Sequence, residues 1–424
     1  MTDRERDSRR MLVGLLDASH LMPLEQVPDR VAEHAAPAGL RNTAIYLCDL
    51  RESVLRLLTG IGPDAHRGQA PGTGAAADEA DLRVEGTLPG RAFQEGRTVA
   101  AGRADGSGHR WWVPLLDGTE RLGVLRVDTA YDDPQTRHDL LGLAALIGLL
   151  IVSKRGTSDA YARLRRTERM NVAAEMQWNL MPPRIYADER VVIGGVMEPA
   201  YLVGGDAFDF ATAGDTVYLS VFDAMGHDTA AALTANLAVA ACRNHRRKGR
   251  GLAEIGEAIE EAVLEQFGRS RFVTGILGEL DLRTGVLSWV NRGHHPPVVI
   301  RAGRWETQLH CPPAHPMGTA LGLPSQVCHE QLEPGDRLVL YTDGITEAHR
   351  PGVPEFGLAR FIDVLIRAHA DHRPVPETLR RLVRSILEHH QGRLNDDATV
   401  LLLQWHGSSP FPSSEVRALA GVPS

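Results

Sequence analysis

The sequence predicts an α+β protein with two folded parts. Three observations carry that prediction. Apolar residues alternate with period 2 in some segments and recur with helical spacing in others. The strand-like segments are joined by hairpin turn chemistry. The pattern also changes near residue 157, which divides the 424 residues into parts of ordinary domain size.

Before residue 157, strands are expected at Thr43–Leu50, Ser53–Thr59, Arg110–Leu116 and Leu122–Asp128, with Asp117-Gly118 as one turn. Helical patterns flank them, from Arg9 to about Ala36 and over Pro134–Lys154. Helices bracketing an antiparallel sheet give an α+β domain over 1–157. Gly62–Ala80 is rich in Gly, Ala and Pro and reads as a mobile loop.

Ser158–Met181 reads as one helix, stopped by Pro182-Pro183, with Met170, Ala173, Met176 and Leu180 on one face. It assigns 158–184 to a linker that can transmit a change from one domain to the next. Beyond it, strands are expected at Val191–Met197, Thr216–Phe222, Phe272–Asp281, Val286–Val290, Pro297–Arg301, Arg337–Tyr341 and Thr399–Trp405. Helices are expected at Asp228–Arg246, Leu252–Phe267, Gly357–Ala370 and Pro376–His390. Strand hairpins with paired helices predict an αββα layering over 185–406, two antiparallel sheets between helical layers. Residues 407–424 read as a flexible tail.

Composition sets the outer limits. With 43% hydrophobic and 24% charged residues, the chain is neither wholly disordered nor fibrous. Its net charge of −8 gives no broad footprint for nucleic acid. Cys48, Cys242, Cys311 and Cys328 form no CxxC pair, so a zinc ribbon and a disulfide framework are not expected, and a reducing cytoplasm is. The polar start MTDRERDSRR is not a signal peptide. Leu140–Val152 is shorter than the roughly 20 residues of a bilayer span and reads as a buried helix, so no membrane is expected.

Acidic residues at strand ends carry the chemistry. Asp206 stands in GGDAFDF, Asp223 in SVFDAMGHD, Asp343 in LVLYTDGITE, and Asp396-Asp397 in LNDDATVLLL. Hard divalent cations take carboxylate and carbonyl oxygens. Acids gathered without an interleaved Lys repel one another unless cations neutralise them. Gly204-Gly205, Gly226 and Gly344 allow backbone to approach a metal or phosphate. Each acid taken alone reads first as a turn or helix cap; the joint pattern is the signal.

The runs GGDAFDF, VFDAMGHDTAAALTA, VNRGHHPPVVIR, GDRLVLYTDGITEA and NDDATVLLL resemble, in order and spacing, the SpoIIE/RsbU-type metal-dependent protein phosphatases of the PPM superfamily. RTERMNVAAEMQWNLMPPR resembles the regulatory helix that precedes the catalytic domain in that family. GTLPGRAFQEGRTVAAG and WWVPLLDGTERLGVLRVD resemble a GAF domain. The first resemblance implies two Mn²⁺ or Mg²⁺ ions. Asp223 would bridge both, and the Ala224 carbonyl would join one. Asp343 and Asp396 would hold the other, with Asp397 as the alternate in that doublet. Asp206 would serve the second metal directly or through water. His227 is the candidate proton donor to the leaving group, against a plain role in packing the helix start. The sequence departs from the family at Asp228, where Gly is usual, and at Ala207, where an aromatic is. Asp228 can cap the next helix and adds negative charge. The turn Asn291–Pro297 is expected to shape the cleft rather than supply ligands from His294 or His295.

What the resemblance implies is a cytoplasmic serine/threonine protein phosphatase regulated by its GAF-like domain. Its substrate would be a phosphorylated anti-anti-sigma protein of the STAS type. Separately from the resemblance, the linker helix offers a surface for a homodimer. A small-molecule ligand among Tyr46, Cys48, Trp111 and Trp112 is one reading of the first domain; core packing is the other. Rival readings of the whole are a non-enzymatic binding module with a phosphatase fold and a hydrolase of small phosphoesters.

Overall fold

A computed structural model describes residues 3–59, 81–102, 108–199, 201–202, 204–347, 355–391, 394 and 396–409. The expected loop Gly62–Ala80 and most of the expected tail lie outside them. The chain divides into two compact units at Glu168/Arg169, and each is described by itself.

The first unit runs α1 (Asp3–Ala18), α2 (Val27–Ala35), β1 (Arg41–Cys48), β2 (Val54–Leu57), β3 (Asp81–Arg83), α3 (Leu88–Glu95), β4 (Val99–Gly102), β5 (His109–Asp117), β6 (Glu120–Thr129), α4 (Pro134–Arg155) and α5 (Asp159–Leu164). Its six described strands form one antiparallel sheet in the order β3-β2-β1-β6-β5-β4. Strand alternation sends Ile45, Leu47, Val113, Leu115, Leu125 and Val127 to one face, where α1, α2 and α4 cover them with Leu15, Val31, Leu143 and Ile147. The other face gathers Tyr46, Cys48, Leu55, Phe93, Trp112 and Val124. The four residues considered for a ligand pocket are therefore core: Trp111 packs on the first face and Tyr46, Cys48 and Trp112 on the second. A cavity of about 430 Å³ lies elsewhere in the unit, lined by Arg4, Gly39, Arg41, Asp128, Tyr131 and Thr136 among others.

Two helix expectations are corrected. The pattern from Arg9 to Ala36 is two helices, because Pro23 is extended (ψ 164°) and interrupts it. The pattern over Ser158–Met181 is also two helices, α5 and α6 (Val172–Leu180). The Arg56 guanidinium bonds the carbonyls of Arg163, Leu164 and Arg166 at 3.2, 3.3 and 3.0 Å, which satisfies the end of α5. Asn171 then opens α6 by accepting from Ala174 N at 2.7 Å. Helix α4 is 22 residues long, longer than the 13-residue apolar run suggests. By length and composition it could cross a membrane, and half of its most apolar stretch is buried in the fold.

The second unit continues from α6 through β7 (Ile185–Ala187), β8 (Val191–Glu198), β9 (Asp206–Ala213), β10 (Thr216–Ala224), α7 (Thr229–Arg247), α8 (Leu252–Phe267), β11 (Val273–Asp281) and β12 (Val286–Arg292). There follow β13 (Val298–Arg301), β14 (Trp305–Gln308), β15 (Cys328–Gln331), β16 (Arg337–Tyr341), α9 (Asp343–Thr346), α10 (Leu358–Ala370), α11 (Val375–His389) and β17 (Ala398–Trp405). The strands form a five-stranded sheet, β15-β12-β11-β10-β9, and a six-stranded sheet, β14-β13-β16-β17-β8-β7. Between them lie Ile193, Phe208, Phe210, Val221, Ile276, Trp289, Leu340, Leu401 and Leu403. Helices α7 and α8 cover the outer face of the first sheet with Ala235, Val239, Ile255 and Ile259 against Phe222, Leu277 and Val290. Helix α11 packs on β8 and β17. This is the expected αββα layering. Strand β9 is an addition to the reading, since GGDAFDF reads as a turn.

The cysteines depart from expectation. Cys311 and Cys328 are joined, with S–S 2.00 Å and Cα–Cα 5.8 Å. Cys48 and Cys242 are free and buried. A single tie across 17 residues leaves no motif spacing to read.

Candidate metal centre

The two sheets each deliver acids to the same end of the second unit. In the five-stranded sheet, Asp206 opens β9 and faces Asp223 near the end of β10 in antiparallel register. In the six-stranded sheet, Asp343 follows β16, and Asp396-Asp397 precede β17, its hydrogen-bonded neighbour. Ladder geometry thus fixes these chain-distant segments in two pairs, one on each sheet.

Hydrogen bonds stitch the two sheets together there. Thr342 Oγ1 donates to Asp206 Oδ2 at 2.6 Å and accepts from Thr399 N at 2.9 Å. Asp397 Oδ2 accepts from the backbone N–H of Gly204, Gly205 and Asp206 at 2.8, 2.5 and 3.3 Å. The glycines are required by close approach. A Cβ on Gly205 would sit 2.5 Å from Gly226 O and 2.7 Å from Ala224 O, and one on Gly344 would fall on Asp397 O. Ala224 closes β10, with its N–H on Gly205 O at 3.0 Å.

These acids face one another rather than cations. Burial, then Asp223 and Asp397, hold Asp206 well above the usual carboxylate range. Burial, then Asp343, Asp396 and Asp397, push Asp223 up to about 7. Burial and Asp343 raise Asp396, which His227 draws back. Burial raises Asp397 despite its three N–H donors. Among the described residues no three His, Cys, Asp or Glu side chains form a ready-made cage; the acids are neighbours. An all-oxygen set in which burial and neighbouring acids raise Asp206, Asp223, Asp396 and Asp397 fits hard divalent cations, which would remove the repulsion.

His227 is exposed on the turn between β10 and α7. Asp228 caps α7, accepting from Ala231 N at 2.8 Å. Its second oxygen takes Arg271 Nη2 at 2.9 Å, while Arg271 Nη1 reaches Met225 O at 3.0 Å. The negative charge expected at Asp228 is therefore paired. His294 and His295 lie on the turn after β12, and His294 is buried with both ring nitrogens in hydrogen bonds. Sequence reasoning missed Thr342 and also Gln177. The Gln177 amide, buried on α6, donates to Gly204 O at 3.1 Å and Asp206 O at 2.5 Å. Only QWNLMPP before the first strand marks that glutamine in the sequence, and nothing local ties it to Asp206.

Residues 213–406 match the family model described as Stage II sporulation protein E (SpoIIE). The C-terminal unit thus contains a SpoIIE-type domain. The chain is 23% identical over 241 residues to "Phosphoserine phosphatase RsbU" of Bacillus subtilis, covering 55% of this chain and 69% of that one. It is 24% identical over 333 residues to "Protein IcfG" of Synechocystis, covering 69% of this chain and 51% of that one. Among solved structures, the RsbU and RsbW domains of Rv1364c from Mycobacterium tuberculosis are 28% identical, with a TM-score of 0.47. That match covers 52% of this chain and 63% of the other. The SpoIIE match begins after Asp206, so the place of Asp206 in the centre rests on its pairing with Asp223 and Thr342.

Proposed function

We propose that the SpoIIE-type unit hydrolyses phosphoserine or phosphothreonine on a partner protein with the help of two Mn²⁺ or Mg²⁺ ions. The observation that carries this is the convergence of mutually repelling acids from both sheets on one Gly-lined edge. On this reading Asp223 would serve both ions, the Ala224 carbonyl would join one, and Asp343 and Asp396 would hold the other. Asp206 serves directly or through water. Asp397 holds the Gly204–Asp206 loop by three N–H bonds, which favours Asp396 as the ligand of the doublet. When bound, two such ions lower the pKa of a water toward neutrality and neutralise phosphoryl oxygens. The chain's own part is to fix the acids on strand ends, and to offer His227, beside Asp396, as a proton donor to the leaving seryl oxygen.

The substrate proposed is a phosphorylated anti-anti-sigma protein of the STAS type, in keeping with the RsbU name of one relative. The first unit is read as a GAF-like sensor that acts through α5 and α6, and can answer to a small molecule. Gln177 gives α6 a direct hold on the Asp206 loop. A homodimer in the cytoplasm completes the reading.

The test is release of phosphate from a phosphoserine protein with and without Mn²⁺. Asp223→Asn should lower the Mn²⁺-dependent rate by more than the ~10–100-fold that changes outside the ligand set cost. Full activity in that variant refutes the ligand assignment.

A further inference from the structure

His294 lies outside the acid cluster, yet it joins the two sheets that carry it. Its ring is buried at 8% exposure. Nε2 lies 3.0 Å from Tyr341 O, on the strand that leads into Asp343. Nδ1 lies 2.8 Å from Thr274 Oγ1. Thr274 is the direct cross-strand partner of Asp223, and its hydroxyl oxygen is 3.4 Å from the Asp223 carbonyl. A carbonyl only accepts, so Nε2 carries the ring proton and donates to Tyr341. Nδ1 is then bare and accepts the Thr274 hydroxyl proton. The imidazole is therefore a neutral bridge with a direction, from Thr274 to His294 to Tyr341. Burial, then His295, pulls its pKa down to about 4, in keeping with that neutral state.

The bridge is itself held. Asn291 Oδ1 accepts from His294 N at 2.8 Å, and Asn291 Nδ2 donates to His294 O at 2.9 Å. Gly293, at φ 70°, turns the chain between them, and a Cβ there would meet the Pro316 ring at 2.9 Å. The Asn291–His294 turn thus presents one ring at a fixed height between the sheets.

We infer that His294 is a positioning residue that sets the separation of Asp223 and Asp343, and with it the affinity of the centre for divalent cations. The inference rests on the reading of these acids as metal ligands. Ligand carboxylates on opposite sheets need a spacing held to a fraction of an ångström. Besides apolar packing, Thr342 and Asp397 tie the sheets on the β9 side, through Asp206 and the Gly204–Asp206 backbone. The Thr274–His294–Tyr341 chain adds two hydrogen bonds on the β11 side, next to Asp223 and on the strand that leads into Asp343.

The experiment uses the full chain and titrates Mn²⁺ by calorimetry, with phosphatase rate against Mn²⁺ concentration as a second measurement. His294→Ala should weaken Mn²⁺ binding by about 10–100-fold, the range for groups that orient ligands, and leave the rate at saturating Mn²⁺ within about threefold. Thr274→Val should shift binding in the same direction by less. His294→Gln, whose amide can donate to Tyr341 O and accept from Thr274, should recover most of the affinity. A folded His294→Ala protein with unchanged Mn²⁺ affinity overturns the inference. So does a loss that Gln does not relieve and Thr274→Val does not share, since that pattern marks a packing defect. If His294→Ala does not fold, Thr274→Val decides alone, and unchanged affinity there overturns the proposal. Asp223→Asn, run alongside, separates the two levels. Loss of Mn²⁺ binding in it with unchanged binding in the His294 and Thr274 variants sinks the bridge and spares the metal reading. Unchanged binding in Asp223→Asn sinks the metal reading itself.

Discussion

Asp206 and Asp209 stand three residues apart on β9, and both are buried, at 2% and 1% exposure. Odd spacing on a strand sends them to opposite faces. Asp209 points toward α7, where Arg243 and Arg246 clamp it at 2.7 and 2.9 Å. Asp206 points between the sheets, where it meets a threonine hydroxyl and two further acids. Burial alone therefore does not mark a functional acid. What separates the two is that the fold sets cations against Asp209 and further acids against Asp206.

The largest effect that can break this comparison lies on the compensated side. Replacing Arg243 and Arg246 together by Met leaves Asp209 buried without a cation. That should cost about 3–5 kcal/mol in urea unfolding, the usual penalty for stranding a buried charge. Adding Asp209→Asn should recover part of it, and Mn²⁺ should not. If Mn²⁺ restored the stability, the two acids would not differ in kind.

The uncompensated side should answer to pH with the opposite logic. The folded pKa of Asp223, about 7, lies above its ordinary 3.8, so the folded chain holds a proton that the unfolded chain has released. The unfolded state then binds fewer protons between these values, and stability of the metal-free protein falls as pH rises from about 4 to about 7. Burial and neighbouring acids raise Asp206, Asp396 and Asp397 as well, so they add to the same slope. Thermal melts in chelator at pH 5 and pH 7.5 should show the loss, Mn²⁺ should abolish it, and Asp223→Asn should reduce it. A flat profile in chelator would mean that the acids do not repel.

How much of this was legible depended on the range of the interaction. The strands flanking Asp223, Asp343 and Asp396 are strongly apolar and stand out by pattern alone, and the acids at their ends followed. Strand β9 did not stand out. Phe208 and Phe210 alternate correctly, but Gly204-Gly205 and two Asp in a short run carry the chemistry of a turn. The clamp on Asp209 comes from a helix over thirty residues away, so no local signal distinguishes it from Asp206. The break between α5 and α6 was hidden for a like reason. Its carbonyls are satisfied by Arg56, over a hundred residues earlier. The resemblance put Asp396 first in the doublet with Asp397 as its alternate; that Asp397 accepts three backbone N–H bonds is a long-range feature that no local pattern in the sequence shows.

The smallest effect sharpens the comparison at its margin. Asp228 is an acid beside the centre that is neither buried nor left to solution. It caps α7, and Arg271 lowers its pKa first, with Ala231 N next. Its charge is already spent locally, so it should behave like Asp209 on a surface scale. Asp228→Ala should lower the urea midpoint slightly, as loss of a helix cap does, and leave Mn²⁺ affinity unchanged. Asp228→Asn should keep most of the cap while losing the pairing with Arg271. A shift in Mn²⁺ affinity in the Asn variant would show that the charge at 228 reaches the centre. Paired charge at the rim would then no longer be equivalent to no charge, and the line drawn between Asp206 and Asp209 would need a distance as well as a partner.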